Sequence, residues 1–316
     1  MNMYNFSVII PLYNKTGFIE RAILSVLNQT HPFFEIIVVN DGSSDGGEKK
    51  VELFKDERIH LVNQANQGVS VARNNGAAHA RYDFFAFLDS DDVWEKTFLE
   101  EINRMICQYP DAGIYGTNNY IESPNGKRWF ENMDYLFNGA NSGVINDYFG
   151  LFAKNGRSPF FTSGHCIPRK IFEESGGFKK GVALTEDSDL WCRIALKHDI
   201  VYSPSPLITY YLEMPNNTVS KIPSSDYQVS VTLQNCLDTN DVKPEQQNSV
   251  RKLVAFQQIS LIKRAILTGN HRIALNKLKD KRIFREFPLT GLFLFPLALL
   301  PFSLFNKINQ FKKKHT

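Results

Sequence analysis

Residues 84–92 read Phe-Phe-Ala-Phe-Leu-Asp-Ser-Asp-Asp, an apolar run to Leu88 that ends in the carboxylates Asp89, Asp91 and Asp92. A short continuous apolar run bounded by polar residues reads as a strand buried on both faces. The reading predicts a strand over 83–88 with the acidic turn at its carboxyl end. Carboxylates crowded this closely repel one another unless a cation neutralises them. Oxygen-only ligands suit a hard ion, Mg²⁺ or Mn²⁺. Such an ion can hold a diphosphate and stabilise its charge as it leaves. The competing reading is an acidic turn that caps a helix starting near Glu95.

Working outward, the same alternation recurs. The run 6–10, Phe-Ser-Val-Ile-Ile, reads as a strand ended by Pro11. Ile19, Ala22, Ile23, Val26 and Leu27 then repeat at helical spacing. A second strand covers 35–39, followed by the turn-rich Asn40-Asp-Gly-Ser-Ser-Asp-Gly46 and a polar helix through Val51, Leu53 and Phe54. A third strand covers 59–62, an Ala-rich helix 68–81, and Phe98, Ile102, Met105 and Ile106 mark another helix after the acidic turn. Strands and helices alternating in this way predict an α/β fold, with parallel βαβ units covered by helices on both faces. Such sheets bind ligands beyond the carboxyl ends of their strands. The polar clusters at Asn14, Asp41 and Asp89 all fall on that edge.

Beyond 112 the pattern loosens into Gly-, Asn- and aromatic-rich segments of the kind that form loops over a site. From about 224 the periodicity is helical, through Val229, Leu233, Val250, Leu253, Val254, Ile259, Ile262 and Ile266. The expected layout is an α/β domain over 1–222, a helical appendage over 223–282 and an apolar, basic-ended tail over 283–316.

The chain has 316 residues, 43% hydrophobic, with a net charge of +3, which is too mild for a nucleic-acid partner without a basic stripe. Its four cysteines, Cys107, Cys166, Cys192 and Cys236, form no CxxC pair, so reduced thiols in a cytoplasmic protein are expected. The polar residues 1–7 run straight into a strand and read as no secretory leader. The uncharged stretch 289–305 carries Pro296 and Pro301, with Arg282 and Arg285 before it and Lys307, Lys312, Lys313 and Lys314 after it. As a straight helix it would reach about 25 Å at about 1.5 Å per residue, short of a bilayer core of about 30 Å. The expectation is a segment lying on the inner face of a cell membrane without crossing it. A buried core helix is the competing reading.

Asp41 opens a Gly/Ser turn, where a carboxylate can accept hydrogen bonds from a base or ribose; its alternative role is a helix cap. Arg73, in Ala72-Arg-Asn-Asn75, can steady a bound donor or the neighbouring carboxylates, or form a surface salt bridge. Glu186 and Asp187 precede the apolar positions Leu190, Ile194 and Leu196, and either cap that helix or supply a base for an acceptor hydroxyl. No G-x-G-x-x-G or P-loop glycine pattern is present, which weighs against dinucleotide and P-loop chemistry.

Ser7-Val-Ile-Ile-Pro-Leu-Tyr-Asn14, Val39-Asn-Asp-Gly-Ser-Ser-Asp45, Ala72-Arg-Asn-Asn75, Phe87-Leu-Asp-Ser-Asp-Asp92 and Thr185-Glu-Asp-Ser-Asp-Leu-Trp191 occur in this order. Together they resemble the family 2 inverting glycosyltransferases of the bacterial surface-glycan type, over roughly the first two-thirds of the chain. The resemblance implies a GT-A fold, Rossmann-like with a mostly parallel sheet, plus a C-terminal helical appendage. It implies transfer of a sugar from a nucleotide-diphosphate donor, UDP-linked by preference, to a hydroxyl of a glycan or lipid-linked acceptor, with Mn²⁺ or Mg²⁺. By the same resemblance Pro11, Tyr13 and Asp41 would contact the nucleoside, Asp89 would lie near the ribose, and Asp91 would ligate the metal. Asp187 would be the general base, with Glu186 beside it, and Gly164 and His165 would line the acceptor side. The family often carries a histidine after the final strand; the stretch 210–220 has none, and Met214 is nearest to that place. The alternatives are a nucleotidyltransferase and a non-catalytic glycan-binding module on a transferase fold.

Overall fold

The computed structural model describes residues 2–182, 184–212 and 226–299. The chain divides into two compact units, Met1–Tyr148 with Ser158–Asn217, and Phe149–Arg157 with Thr218–Thr316. The boundary expected near 222 lies outside the described residues, as do the lysines of the tail.

In chain order the first unit holds β1 (Phe6–Leu12), α1 (Ile19–Leu27), β2 (Phe34–Asp41), α2 (Gly47–Glu52), β3 (Ile59–Gln64), α3 (Val69–His79) and β4 (Phe84–Phe87). There follow β5 (Val93–Trp94), α4 (Phe98–Gln108), β6 (Ile114–Glu122), β7 (Arg128–Trp129) and β8 (Gly143–Val144). After α5 (Tyr148–Asn155), most of which belongs to the second unit, come β9 (His165–Pro168), α6 (Arg169–Glu174), α7 (Glu186–Ala195) and β10 (Ile200–Tyr211).

The strands form one sheet in the order β3-β2-β1-β4-β9-β6-β10-β5, with β7 on β6 and β8 on β10. β3, β2, β1 and β4 run parallel, as does the pair β6 and β10, while β9 enters antiparallel between β4 and β6. β1 and β2 are buried along their whole length, as parallel strands covered on both faces must be.

β1 continues through Pro11, against the expected stop. Leu88 N–H donates to Ile9 O at 3.1 Å, so the backbone groups of Ile9, and by alternation of Pro11, face β4. β4 ends at Phe87, so nothing there asks the proline for an N–H. A second difference concerns the acidic turn. It leads into β5, and α4 starts only at Phe98 behind its own N-cap, Thr97, so the turn caps no helix.

α3 lies close on the sheet because Gly76 has no side chain. A Cβ there would stand 2.5 Å from Ile9 Cγ2 and 3.2 Å from Val39 Cγ2. This close approach sets the height of the α3 N-terminus over the ends of β1 and β2.

The second unit continues with α8 (Gln228–Asp238), α9 (Gln247–Leu267), α10 (His271–Lys277), α11 (Lys281–Glu286) and α12 (Pro288–Leu299). Ile259, Ile262, Ala265 and Ile266 of α9 form a core with Ala274, Leu278, Ile283, Leu294 and Ala298. α12 comes near α11 at Gly291, where a Cβ would stand 2.9 Å from the Phe284 ring. One side of α12 therefore belongs to the core, while Leu289, Leu292, Phe293, Phe295 and Leu299 are exposed, Leu289 at 81%. Among the described residues no helix is long and apolar enough to cross a membrane.

Gly76→Val should lower stability by about 1–3 kcal/mol, the usual cost of overpacking. A β-branched residue regains little of the helix propensity that alanine would bring. A shift of the urea midpoint to lower concentration at unchanged slope is the expected result, and an unshifted midpoint would show that α3 can lift at no cost.

Candidate active site

The strand order reverses direction at β1, with β2 on one side and β4 on the other, and the crevice beyond the carboxyl ends of β1 and β4 is open. A cavity of about 340 Å³ lies here. Pro11, Tyr13, Asp41, Arg73, Asp89 and Asp91, the residues expected on the donor side, all line it, together with Lys15. The loops at its rim are laced together: Asn14, at φ 51°, accepts from Ser44 N–H at 2.8 Å, and Asp45 accepts from Thr16 N–H at 2.8 Å. Tyr13 is half exposed beside the cavity and offers a flat ring to a planar ligand.

Asp41 does not cap α2, whose N-cap is Gly46. Its Oδ1 accepts from Gln64 Nε2 at 2.7 Å and from Gln67 N–H at 2.8 Å, and its Oδ2 from Gly68 N–H at 2.9 Å. The carboxylate therefore fixes the entry to α3 while it forms part of the cavity wall.

Arg73 is buried, with a side chain only 4% exposed, and makes no surface salt bridge. Nη2 donates to Asp89 Oδ1 at 2.7 Å and Nη1 to Glu186 Oε1 at 3.0 Å. Burial alone would favour losing the proton, but Asp89 and Glu186 outweigh it and raise the pKa. Glu186 is raised too, by burial first and by the charge of Asp187 second, with Arg73 pulling the other way. The guanidinium thus joins a cavity carboxylate to the first turn of α7.

The three carboxylates of the acidic turn have separate environments. Asp91 pairs with Lys15 Nζ at 2.7 Å, both partly exposed. The Asp91 backbone carbonyl is held by Arg21, whose guanidinium lies 3.8 Å from the Tyr211 ring centroid. Asp92 is buried, and its pKa is pushed well up by burial, then by Asp89 and Asp91. The Ser163 hydroxyl donates to Asp92 Oδ2 and accepts from Asp89 N–H at 3.1 Å. Ser163 O in turn takes the Trp94 indole N–H at 2.6 Å.

Among the described residues no group of three or more His, Cys, Asp or Glu could enclose a metal ion. A nucleotide-bound Mg²⁺ or Mn²⁺ needs only one or two carboxylates, because phosphates and waters complete its shell. Asp91, partly exposed on the cavity wall, fits that donor set. Met214 lies outside the described residues.

Glu186, Asp187, Gly164 and His165 do not line this cavity. Asp187, in the first turn of α7, accepts from Thr162 Oγ1 at 3.1 Å. Gly164 is packed so tightly that a Cβ would stand 2.2 Å from Ile208 Cδ1. The His165 side chain reaches no surface: it stacks on Phe87 and accepts from Trp191 Nε1–H at 3.3 Å. Burial pushes its imidazole down to about 3, so it is neutral. Thr162, Ser163 and Lys15 join the site without having been singled out in the sequence. Ser163 stands one residue before the quoted glycine, but its partners lie far away in the chain.

The fold and cavity define an α/β protein with carboxylates lining a cavity at the switch point of a mostly parallel sheet. The chain belongs to glycosyltransferase family 2, whose model matches residues 7–176. It is similar to an uncharacterised glycosyltransferase of Rickettsia conorii, 33% identical over 217 residues, covering 66% of this chain and 34% of that one. It is also 39% identical over 124 residues to the UDP-Glc:alpha-D-GlcNAc-diphosphoundecaprenol beta-1,3-glucosyltransferase WfgD of Escherichia coli, covering 39% of this chain and 49% of that one. The match thus spans about a third to a half of these relatives. Among solved structures, the mannosyltransferase PcManGT of Pyrobaculum calidifontis, in complex with GDP-Man and Mn²⁺, shares the fold. Its TM-score is 0.62 at 16% identity, over 95% of this chain and 87% of that one.

Ser163→Ala should leave the buried Asp92 with only its backbone partner at Tyr211 and cost about 1–3 kcal/mol. Thermal unfolding checks this; an unchanged midpoint would mean that Asp92 finds water instead.

Proposed function

We propose that this protein transfers a sugar from a nucleotide-diphosphate donor to a hydroxyl of a glycan or lipid-linked acceptor in surface-polysaccharide synthesis. The observation that carries the reading is the Arg73 bridge, which joins the cavity carboxylate Asp89 to the α7 turn bearing Glu186 and Asp187. A donor site and a base for the acceptor need such a fixed spacing, because the reaction is a single displacement. The WfgD name, with UDP-Glc as donor and a diphosphoundecaprenol-linked sugar as acceptor, supports a UDP donor and a lipid-linked acceptor. The Mn²⁺ in the PcManGT complex supports a divalent metal.

In this reading Tyr13 and Pro11 bracket the nucleoside, while Asp41 holds the cavity wall at the α3 entry. Asp91 would hold the Mn²⁺ or Mg²⁺. When bound, that ion neutralises the diphosphate and stabilises it as a leaving group. Arg73 holds the Asp89 carboxylate aligned. Asp187 removes the proton from the acceptor hydroxyl, and Thr162 orients the carboxylate for it. Glu186, with its raised pKa, sits beside it and positions the acceptor. A base and a leaving group on opposite faces of the sugar give inversion at the anomeric carbon.

Asp91→Asn should abolish transfer and the response to added Mn²⁺. Asp187→Asn should lower kcat by at least about 10²-fold and leave donor affinity near wild type, as expected for a general base. Nucleotide release from a panel of nucleotide sugars, with product configuration read by NMR, tests both. Wild-type turnover in Asp187→Asn, or a retained configuration, would sink the assignment.

The exposed side of α12 supports a place on the inner membrane surface. Leu289, Leu292 and Phe293 stand in water there, and a helix apolar all round wants a second apolar surface. Because Leu294 and Ala298 belong to the core, deleting α12 would confuse folding with binding. Replacing Leu289, Leu292 and Phe293 by Ser should instead reduce co-sedimentation with anionic vesicles while sparing transfer to a soluble acceptor. Equal sedimentation of variant and wild type would remove α12 from the membrane contact.

A further inference from the structure

The acidic turn solves its charge problem three times, and only one solution is reversible. Asp89 is held by the buried Arg73, and Asp92 by Ser163 in the interior. Neither partner can leave without exposing a cavity or an uncompensated charge. Asp91 differs. Its carboxylate meets Lys15 at 2.7 Å, and the two side chains are 29% and 28% exposed. Lys15 stands on the loop after β1, its ammonium 5.4 Å from the Phe18 ring centroid. Both residues line the cavity. Arg21 holds the turn by the Asp91 backbone, so the side chain can change partner while the turn stays in place.

A lysine ammonium is a point charge on a flexible stem, suited to moving between anions a few ångströms apart. Lys15 meets Asp91 through Oδ2, and an ammonium and a divalent cation on one carboxylate repel each other, so each weakens the other's hold. We propose that Lys15 is the exchangeable counter-ion of Asp91: it neutralises the carboxylate before a divalent cation binds, gives it up to the cation, and carries its charge to the diphosphate. The proposal rests on the reading of Asp91 as the metal-holding residue. A partly exposed ion pair is weak, so the ammonium lowers metal affinity by only about fivefold. The same ammonium then strengthens diphosphate binding. Lys15 thus makes cation and nucleotide bind better together than apart, which is a reciprocal coupling.

The test measures Mn²⁺ binding by electron paramagnetic resonance and UDP binding by calorimetry, on the full chain. Lys15→Gln should bind Mn²⁺ alone about fivefold more tightly than wild type and bind UDP in the presence of Mn²⁺ about fivefold more weakly. Lys15→Arg, which keeps the charge, should stay near wild type in both. Lys15 is on a surface loop, so its replacement does not threaten the fold. If Asp91→Asn abolishes Mn²⁺ binding but Lys15→Gln binds Mn²⁺ no more tightly than wild type, the counter-ion role is overturned and the metal reading stands. If Lys15→Gln gains Mn²⁺ affinity and keeps wild-type UDP affinity, the transfer of charge to the diphosphate is overturned. If Asp91→Asn binds Mn²⁺ as wild type does, the metal reading falls and the proposal falls with it.

Discussion

Arg73 carries a full positive charge almost out of reach of water, and two carboxylates from distant parts of the chain keep it there. Removing either would leave the buried guanidinium with a single carboxylate partner, and breaking a buried ion pair is destabilising. The turn after β4, helix α3 and the start of α7 are therefore one mechanical unit. The residues next to Arg73 extend it in other directions. Asn74 bonds both ways to Phe178, donating to its carbonyl at 2.7 Å and accepting from its N–H at 2.9 Å, which ties down the segment before α7. Asn75 donates to Gln64 Oε1 at 2.7 Å, and Gln64 donates to Asp41. Successive helix positions point about 100° apart, so Ala72-Arg-Asn-Asn75 can address several walls at once. Gly76 then lets the helix sit low enough for these bonds to form.

This explains which parts of the site were legible in the chain. Helical spacing identifies α1 and α4, an Ala-rich stretch identifies α3, and continuous apolar runs identify the parallel strands buried on both faces. The carboxyl-edge rule then brings Asp41 and Asp89 together without any side-chain geometry. Thr162 and Ser163 escape that logic. They stand in a single 3₁₀ turn, Thr162–Gly164, too short to show a spacing, and their worth lies in bonds to Asp187, Asp89 and Asp92. Hydroxyl residues are common in such segments, so nothing local marks these two. His165 shows what spacing cannot tell. The resemblance places it on the acceptor side, and β9 buries its ring between Phe87 and Trp191, a packing that no local pattern announces. Pro11 misleads for a similar reason, since its rule forbids only positions where a neighbouring strand needs its N–H.

Strain gathers where α7 begins. Thr185, its N-cap, has φ 65°, a conformation that a β-branched residue rarely adopts, and its buried hydroxyl has no hydrogen-bond partner among the described residues. A glycine would relieve the backbone, and the competing benefit is positional. The ion pair of Arg73 with Glu186 on one side, and that of Asp189 with Arg193 on the other, hold the first turn where Thr185 must bend to meet it. Strain of about 1–3 kcal/mol is tolerable where the surroundings over-determine a conformation.

The carboxylates around the cavity show how one residue type is given several roles. Asp189, fully buried, is matched by Lys179 and Arg193, so it serves the fold. Asp92 is buried against the Ser163 hydroxyl, and burial first, then two neighbouring carboxylates, push its pKa up. Asp89 has its charge answered by Arg73, which leaves it aligned but engaged. Asp91 and Asp187 differ from all of these. One pairs with a partly exposed lysine, and the other accepts, among the described residues, only from neutral donors, the Thr162 hydroxyl and the Ser188 N–H. Roles diverge when environments diverge. The groups whose charge is least firmly answered by the fold are the ones left free to answer a cation and a substrate proton.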